Sequence, residues 1–184
     1  MGGVVARVFG PFFATPLRKV GVAGILLCLA ALAWYLGSPL FIRTTVNEAL
    51  PIPPATASAA SAAPATGPAI ATAPPPTTIA RGELGYVDAI HNGSGPVFLV
   101  RAGGETFVRF DGVAITNAPD VHVYLSSETG GRWTEATSLY LGPLKATNGS
   151  FNYPLAAGAD VSRYKSVVVW CRQFSVLITW ADLR

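Results

Sequence analysis

The stretch from Val167 to Val176, which reads VVVWCRQFSV, constrains the fold more than any other part of this chain. β-Branched and aromatic residues at this density fit the pleated, buried surface of a sheet better than they fit a helix. The apolar character resumes at Phe174 and continues to Trp180. The stretch therefore predicts central strands of a β domain, with one thiol, that of Cys171, between them.

Residues 81–184 are predicted to form this β domain, because a segment of that length can build one compact core. Turn signals rich in Gly, Pro and Asn separate its short apolar segments, and only Arg132–Leu141 could hold a helical turn. This pattern is typical of an all-β fold, an antiparallel β-sandwich or partly open barrel. Strands are expected near residues 83–90, 97–101, 106–115, 121–125, 150–153, 166–171 and 174–180.

An uncharged run of 23 residues, Val20–Ile42, follows Arg18 and Lys19 near the N-terminus. A helix of this length reaches about 35 Å, which exceeds the hydrocarbon core of a bilayer at about 30 Å. Basic residues are more frequent before the run than after it. The positive-inside rule then predicts a cytoplasmic tail at 1–19, a transmembrane helix at 20–42 and an extracytoplasmic remainder.

A cleaved signal peptide is the alternative interpretation of this run. Ala31-Leu32-Ala33 offers a small-x-small cleavage site after a stretch of apolar residues. The run continues past that site and the basic leader is long, so the sequence favours a single-pass anchor over a cleaved signal.

Residues 43–80 are predicted to be a disordered linker rich in Pro and Ala. Its part from residue 51 onward contains eight Pro and eleven Ala and no charged residue, a composition that cannot build a core. Fully extended, it would reach about 90 Å as a semi-rigid spacer. The linker is therefore expected to hold the β domain away from the membrane.

The charge distribution argues against a nucleic-acid partner. The formal net charge of +3 comes entirely from residues 1–50, while residues 81–184 carry nine basic and nine acidic residues. A nucleic-acid domain should have its basic excess on the folded part of the chain. The predicted partners are therefore the membrane, through residues 20–42, and a redox or binding partner in the cell envelope.

Cys171 is the main candidate for chemistry in the β domain. If residues 20–42 span a membrane, Cys28 cannot pair with it, and Cys171 is a lone thiol. Alternation along the strand gives Cys171 apolar neighbours on both faces, so a buried structural thiol is one interpretation. The other is a reactive thiol, since the guanidinium of Arg172 beside it could favour the thiolate.

The two histidines, His91 and His122, are supporting candidates. His91 lies in a Gly-rich turn, and His122 falls on the face of its strand opposite Val121 and Val123. Closed zinc sites and copper sites need ligands that the sequence lacks, so no metal site is predicted. Cys171 and a histidine could supply the axial ligands of a non-covalently bound haem. No hydrolase or phosphate-loop motif occurs, so the chain is not expected to be a stand-alone enzyme.

Several segments, in order and spacing, resemble the DM-thirteen domain of Skeletor-type proteins. They are His91–Gly95, Pro119–Ser126 (PDVHVYLS), Leu141–Lys145, Asn148-Gly149 leading to Tyr153, Tyr164–Cys171 with Phe174–Val176, and Ala181–Leu183. The resemblance covers most of Gly82–Leu183. One departure is Tyr153–Ala156, where the family more often has a proline after the hydrophobic residue.

The resemblance implies a β-sandwich-like domain with a role in electron transfer. Its cysteine is proposed to act as a bare thiol or to hold a prosthetic group such as haem, and this role maps here onto Cys171. Two functions are therefore expected as alternatives. One is a membrane-anchored electron-transfer domain, and the other is a non-enzymatic binding or scaffolding domain in which the cysteine is structural.

Overall fold

The computed structural model describes residues 16–38, 42–51 and 75–184, which belong to two compact units, Met1–Ile42 and Arg43–Arg184. In the first unit, helix α1 spans Pro16–Gly37. From Arg18 onward it has a mean hydropathy of 2.1, and other described residues do not bury it. By length and composition α1 can cross a membrane.

The second unit is built from β-strands and a short 3-10 helix. In chain order the elements are β1 (Thr45–Asn47), β2 (Thr77–Glu83), β3 (Gly93–Ser94), β4 (Pro96–Ala102), β5 (Glu105–Ile115), β6 (Val121–Ser126), the 3-10 helix (Glu135–Thr137), β7 (Ser138–Pro143), β8 (Asn148–Pro154), β9 (Ser166–Cys171) and β10 (Val176–Asp182).

These strands form two sheets. The first has the order β1-β8-β5-β4-β2, with β3 paired to β5, and the second has the order β10-β9-β6-β7. All pairs are antiparallel except β1 with β8. The sheets share one apolar core and do not close into a barrel, which confirms the predicted all-β sandwich.

The predicted strands from residue 97 onward are confirmed, and so is the helical turn within Arg132–Leu141. The strand expected at 83–90 is wrong. Only the bridge of Tyr86 with Asn92 forms there, and the strand lies upstream at β2. β2 carries few apolar residues because it is an edge strand with a largely exposed surface, so hydrophobic alternation did not indicate it. β7, the edge strand of the second sheet, was also missed, although it carries Leu139, Tyr140 and Leu141.

The core lies between the two sheets and depends on strands that are buried on both faces. Val121, Val123 and Leu125 of β6 point inward, and the intervening side chains of β6 are buried too. The segment 127–137 contributes Trp133, whose ring stacks against Tyr124 on the outer face of the second sheet. This covering explains why β6 and β9 have apolar residues on both faces.

Strand β1 comes from within the segment predicted as linker. The division of the chain at residues 19, 42 and 80 stays a prediction, and residues 52–74 lie outside the described residues. β1 and β2, which precede and follow these residues in the chain, are the two edges of the first sheet.

Glu48 fixes β1 to the sheet. Its carboxylate accepts hydrogen bonds from Lys145 Nζ at 2.9 Å and from the Asn152 amide nitrogen at 2.9 Å. Its own backbone nitrogen donates to Ser150 O at 2.7 Å. Burial raises the pKa of Glu48, but the hydrogen bonds and the charge of Lys145 outweigh burial and lower this pKa below its ordinary value of 4.5.

We expect Glu48→Gln to lower the free energy of unfolding by up to about 1 kcal/mol at neutral pH, since the carboxylate is about one-third exposed. A lowered pKa means that this contribution is present above pH 4.5 and is lost as the pH falls through the folded-state value. Denaturant unfolding at a series of pH values checks this. Glu83→Gln, in an exposed ion pair of β2, is the control; an equal effect of both variants at every pH would contradict the role of Glu48.

Candidate functional site

The outer face of the second sheet holds a hydrogen-bonded chain of three side chains. His122, only 8% exposed, lies near the start of β6. Its Nε2 is 2.6 Å from Asp120 Oδ1, and its Nδ1 is 2.8 Å from the hydroxyl of Tyr140 on β7. Asp120 lies in the turn just before β6, two residues from His122, so the first pair is joined by a local contact. Only the pairing of β6 with β7 brings in Tyr140.

For a neutral imidazole beside an ionised carboxylate, the hydrogen-bond partners assign the protons. A carboxylate only accepts hydrogen bonds, so the nitrogen that faces Asp120 must carry a proton. A neutral imidazole has one N–H, which leaves Nδ1 as an acceptor. The Tyr140 hydroxyl therefore donates to His122, and the imidazole in turn donates to Asp120.

The turn that carries Asp120 is held by the end of β9. Asp120 has a positive φ of 57°, in the left-handed region that Asp tolerates better than most residues. Its carbonyl accepts a hydrogen bond from the Arg172 amide at 3.0 Å. The preceding carbonyl, that of Pro119, accepts from the Cys171 thiol, with Sγ 2.9 Å from the oxygen. Cys171 and Arg172 thus help to set the direction of the Asp120 carboxylate.

Aromatic rings continue from this chain across the sheet. We use the name aromatic cluster for His122, Tyr124, Trp133, Tyr140 and Trp170. Neighbouring ring centroids lie 5.6 Å apart for His122 and Tyr140, 5.3 Å for Tyr140 and Tyr124, 4.3 Å for Tyr124 and Trp133, and 5.3 Å for Trp133 and Trp170. Within the cluster Tyr124 is buried, whereas Tyr140 is 45% exposed.

Arg172 places a positive charge on the aromatic cluster. Its guanidinium carbon is 4.6 Å from the ring centroid of Tyr140 and 5.7 Å from that of Tyr124. Its Nε donates to the Tyr124 hydroxyl at 2.7 Å, and this hydrogen bond raises the pKa of Arg172. The guanidinium therefore stays charged over the pH range in which the protein is folded. The guanidinium contacts the rings of Tyr124 and Tyr140 and not the thiol of Cys171, its neighbour in sequence.

Cys171 points into the core between the sheets. Its exposed fraction is 0%, and it belongs to the same apolar cluster as Val121 and Val169. The thiol therefore has no contact with solvent in the folded domain. Its one described polar contact is the hydrogen bond to Pro119 O.

The surroundings of Cys171 do not fit a haem ligand. An iron-bound sulfur needs an open position for the metal, whereas this thiol is enclosed by packed side chains. Both ring nitrogens of His122 already have hydrogen-bond partners. Within the described part of the chain, no group of three or more His, Cys, Asp or Glu side chains could hold a metal ion.

His91 belongs to a separate turn between β2 and β3. Its Nδ1 lies 2.8 Å from Asp88 Oδ2, and its backbone nitrogen donates to Asp88 Oδ1 at 2.7 Å. The hydrogen bond from the His91 ring is the main reason why the pKa of Asp88 falls to about 2. This arrangement closes a turn and links His91 to neither His122 nor Cys171.

Comparison with known proteins decides the family. The family model described as "Electron transfer DM13" matches residues 86–183, which is more than half of the chain. The chain belongs to the DM13 family. No curated protein and no solved structure matches it.

The DM13 match contains both central strands of the second sheet and the whole aromatic cluster. Strands β1 and β2 precede it and form the two edges of the first sheet. The family suggests a role related to electron transfer for this domain.

The sequence prediction included His122 and Arg172 but not the residues that they contact. The Asp120 carboxylate bonds the ring of His122. Tyr140 and Trp133 had no signal of their own, because an exposed strand and a covering loop place them. The Asp-x-His spacing was the one local sign of this site.

Proposed function

We propose that this protein is a single-pass membrane-anchored DM13 protein whose extracytoplasmic domain transfers electrons through the aromatic cluster. A partner in the cell envelope would supply or accept the electron. Within this proposal Cys171 is a structural residue, and neither a free thiol nor a haem-bound sulfur carries the electron.

The continuous ring contacts of the aromatic cluster carry this proposal. Tyrosine and tryptophan are the side chains that most readily lose one electron without a metal, apart from cysteine. Four such side chains form a continuous row in space, with neighbouring ring centroids 4.3 to 5.3 Å apart: Tyr140, Tyr124, Trp133 and Trp170. Tyr140 is partly exposed at the surface. The path therefore links the protein surface to the centre of the second sheet.

The burial of Cys171 favours a structural role for this residue over that of a reactive thiol. Thiol chemistry requires a thiolate that a reagent can reach, and the environment of Cys171 is apolar and closed. The hydrogen bond to Pro119 O instead supports a structural role. The same burial is compatible with the alternative of a binding domain, so the test must measure electron movement.

Membrane anchoring is supported by helix α1 and by the charges around it. Its apolar part begins after Arg18 and Lys19 and continues without a charge. The positive-inside rule then puts the N-terminus in the cytoplasm and the DM13 domain outside it. If the helix is an anchor, protein extracted from membranes retains residues 1–42, which an intact mass measurement detects.

The test attaches a ruthenium bipyridyl photosensitiser next to the cluster. In the full-length chain with Cys28→Ser, Glu135→Cys offers an exposed attachment site two residues from Trp133, while buried Cys171 is not labelled. A flash with a soluble quencher makes ruthenium(III), a one-electron oxidant. Transient absorption then records tyrosyl and tryptophanyl radicals.

We expect Cys171→Ser to keep the radical yield within about twofold, since a hydroxyl can also donate to Pro119 O. Trp133→Leu should lower the yield at least about fivefold, because it removes the ring between Tyr124 and Trp170. A label at Glu105→Cys, on the hairpin of the first sheet, is the positional control and should give a low yield. Loss of the radical in Cys171→Ser, with Trp133→Leu unaffected, would overturn the proposal in favour of the thiol.

A further inference from the structure

We infer that Tyr140 is the residue of the aromatic cluster on which the oxidised state resides, and that His122 accepts its proton. This inference rests on the proposed function. It assigns a redox residue, a proton acceptor and a positioning carboxylate, Asp120. The matching oxidant is an outer-sphere one-electron acceptor, such as a high-potential metal centre of another envelope protein.

Proton acceptance distinguishes Tyr140 from Tyr124. The Tyr140 hydroxyl lies 2.8 Å from His122 Nδ1, which carries no proton in the neutral imidazole whose Nε2–H donates to Asp120. The Tyr124 hydroxyl instead receives a hydrogen bond from Arg172, and among the described residues no carboxylate or imidazole accepts its proton. Tyr124 is 4% exposed whereas Tyr140 is 45% exposed, so an external oxidant can approach Tyr140 directly.

The charge of Arg172 makes proton loss a requirement for oxidation. Removing an electron alone would leave a radical cation 4.6 Å from the guanidinium, and two like charges at that distance repel each other. Loss of the proton together with the electron leaves a neutral phenoxyl radical under the guanidinium and moves the positive charge to His122, which the Asp120 carboxylate faces. Arg172 therefore favours a tyrosine that has a base beside it.

Electrons and protons balance in this step. Tyr140 gives one electron to the oxidant, its O–H bond breaks, and the proton forms a new N–H bond on His122 Nδ1. The products are a phenoxyl radical and an imidazolium, whose Nε2–H already points at the Asp120 carboxylate at 2.6 Å. That carboxylate stabilises the imidazolium by an opposite charge. A reductant returns the electron, and His122 returns the proton.

The experiment uses the full-length chain labelled at Glu135→Cys and measures rate and radical identity. Electron paramagnetic resonance with ring-deuterated tyrosine distinguishes tyrosyl from tryptophanyl radicals. Tyr140→Phe tests the redox residue, and His122→Gln tests the proton acceptor, since an amide can accept a hydrogen bond but not a proton at neutral pH. Tyr86→Phe is the matched control, an exposed tyrosine of the loop before β3.

Asp120→Asn tests the positioning role. Asparagine also tolerates the positive φ of this position, so the backbone can be kept. Its amide can donate to Nε2, which would move the imidazole proton to Nδ1 and turn it toward Tyr140. A purely structural role of Asp120 would leave the radical rate and its isotope effect unchanged in this variant.

We expect Tyr140→Phe to abolish the long-lived tyrosyl signal, and Tyr86→Phe to keep it. His122→Gln and Asp120→Asn should each slow formation of the radical at least about tenfold, as loss of a positioned base does. The wild-type rate should also fall at least about twofold in D₂O. Tryptophanyl radicals with no Tyr140 signal, or a His122→Gln rate equal to wild type, would overturn this inference while leaving the proposed function intact. Absence of any cluster radical would overturn the proposed function itself.

Discussion

Phe151→Ala is expected to lower the free energy of unfolding by about 3–5 kcal/mol, the range for a fully buried aromatic side chain. Phe151 lies in the middle of β8 with none of its surface exposed. Its ring stacks on Phe110 at 4.9 Å and meets Tyr153 edge-on at 6.1 Å. Truncation removes these ring contacts and leaves a cavity between the sheets.

Phe174→Ala is the matched control for this measurement. Phe174 lies in the turn between β9 and β10 and is 51% exposed, so its truncation should cost no more than about 0.5 kcal/mol. Denaturant unfolding of the full-length protein in detergent, followed by tryptophan fluorescence, gives both values. A loss below about 1 kcal/mol for Phe151→Ala would show that the two sheets do not share the core described here.

Gly149→Ala is expected to cost at least about 2 kcal/mol, for two reasons that act together. Gly149 has a φ of +101°, which strains any residue with a Cβ. A Cβ at this position would also collide with the carbonyl oxygen of Val46, the paired residue of β1. The variant therefore cannot keep β1 in register with β8.

Gly104→Ala is the control that distinguishes backbone strain from the collision of the added Cβ. Gly104 has a φ of +87°, but no described atom lies within 4 Å of its added Cβ. This variant should show only the backbone strain, about 1 kcal/mol. Hydrogen exchange read by mass spectrometry should increase over residues 44–50 in Gly149→Ala and stay unchanged in Gly104→Ala. Equal destabilisation with protected 44–50 amides in both variants would contradict the docking of β1.

Docking of β1 matters for any experiment on an isolated domain. A fragment that starts at residue 81 lacks β1 and the first part of β2, and so both edges of the first sheet are incomplete. Such a fragment also lacks Glu48, whose carboxylate accepts hydrogen bonds from Lys145 and from the Asn152 amide. The full chain, or one that begins before β1, is therefore the material of choice for measurements on the site.

The strand pattern made most of the second sheet predictable. Alternation in β6 put His122 on the face opposite Val121 and Val123, and the structure places it there. The apolar run in β9 indicated a central strand, which is confirmed by its position between β10 and β6. Period-two patterns report which face a side chain occupies, and they do so without knowledge of the partners.

The candidate site was predictable only in part. Cys171 and Arg172 are adjacent in sequence, and this adjacency suggested an activated thiol. The two side chains lie on opposite sides of the second sheet, since the thiol enters the core and the guanidinium, in the turn after β9, lies over Tyr140. The partner of Arg172 is therefore the aromatic cluster, which local spacing could not indicate.

By itself, the sequence determined the β class of the domain, the apolar helix before it, the faces of β6 and β9 and the membership of the DM13 family. The first three depend on composition or on a period of two, which local residues carry, and the family depends on the order and spacing of several short segments. The tertiary structure alone decided that β1 joins the first sheet, that Cys171 is enclosed and that Tyr140 meets His122. These features depend on strand pairing and on a covering loop, which join residues far apart in the chain through contacts that no local pattern encodes.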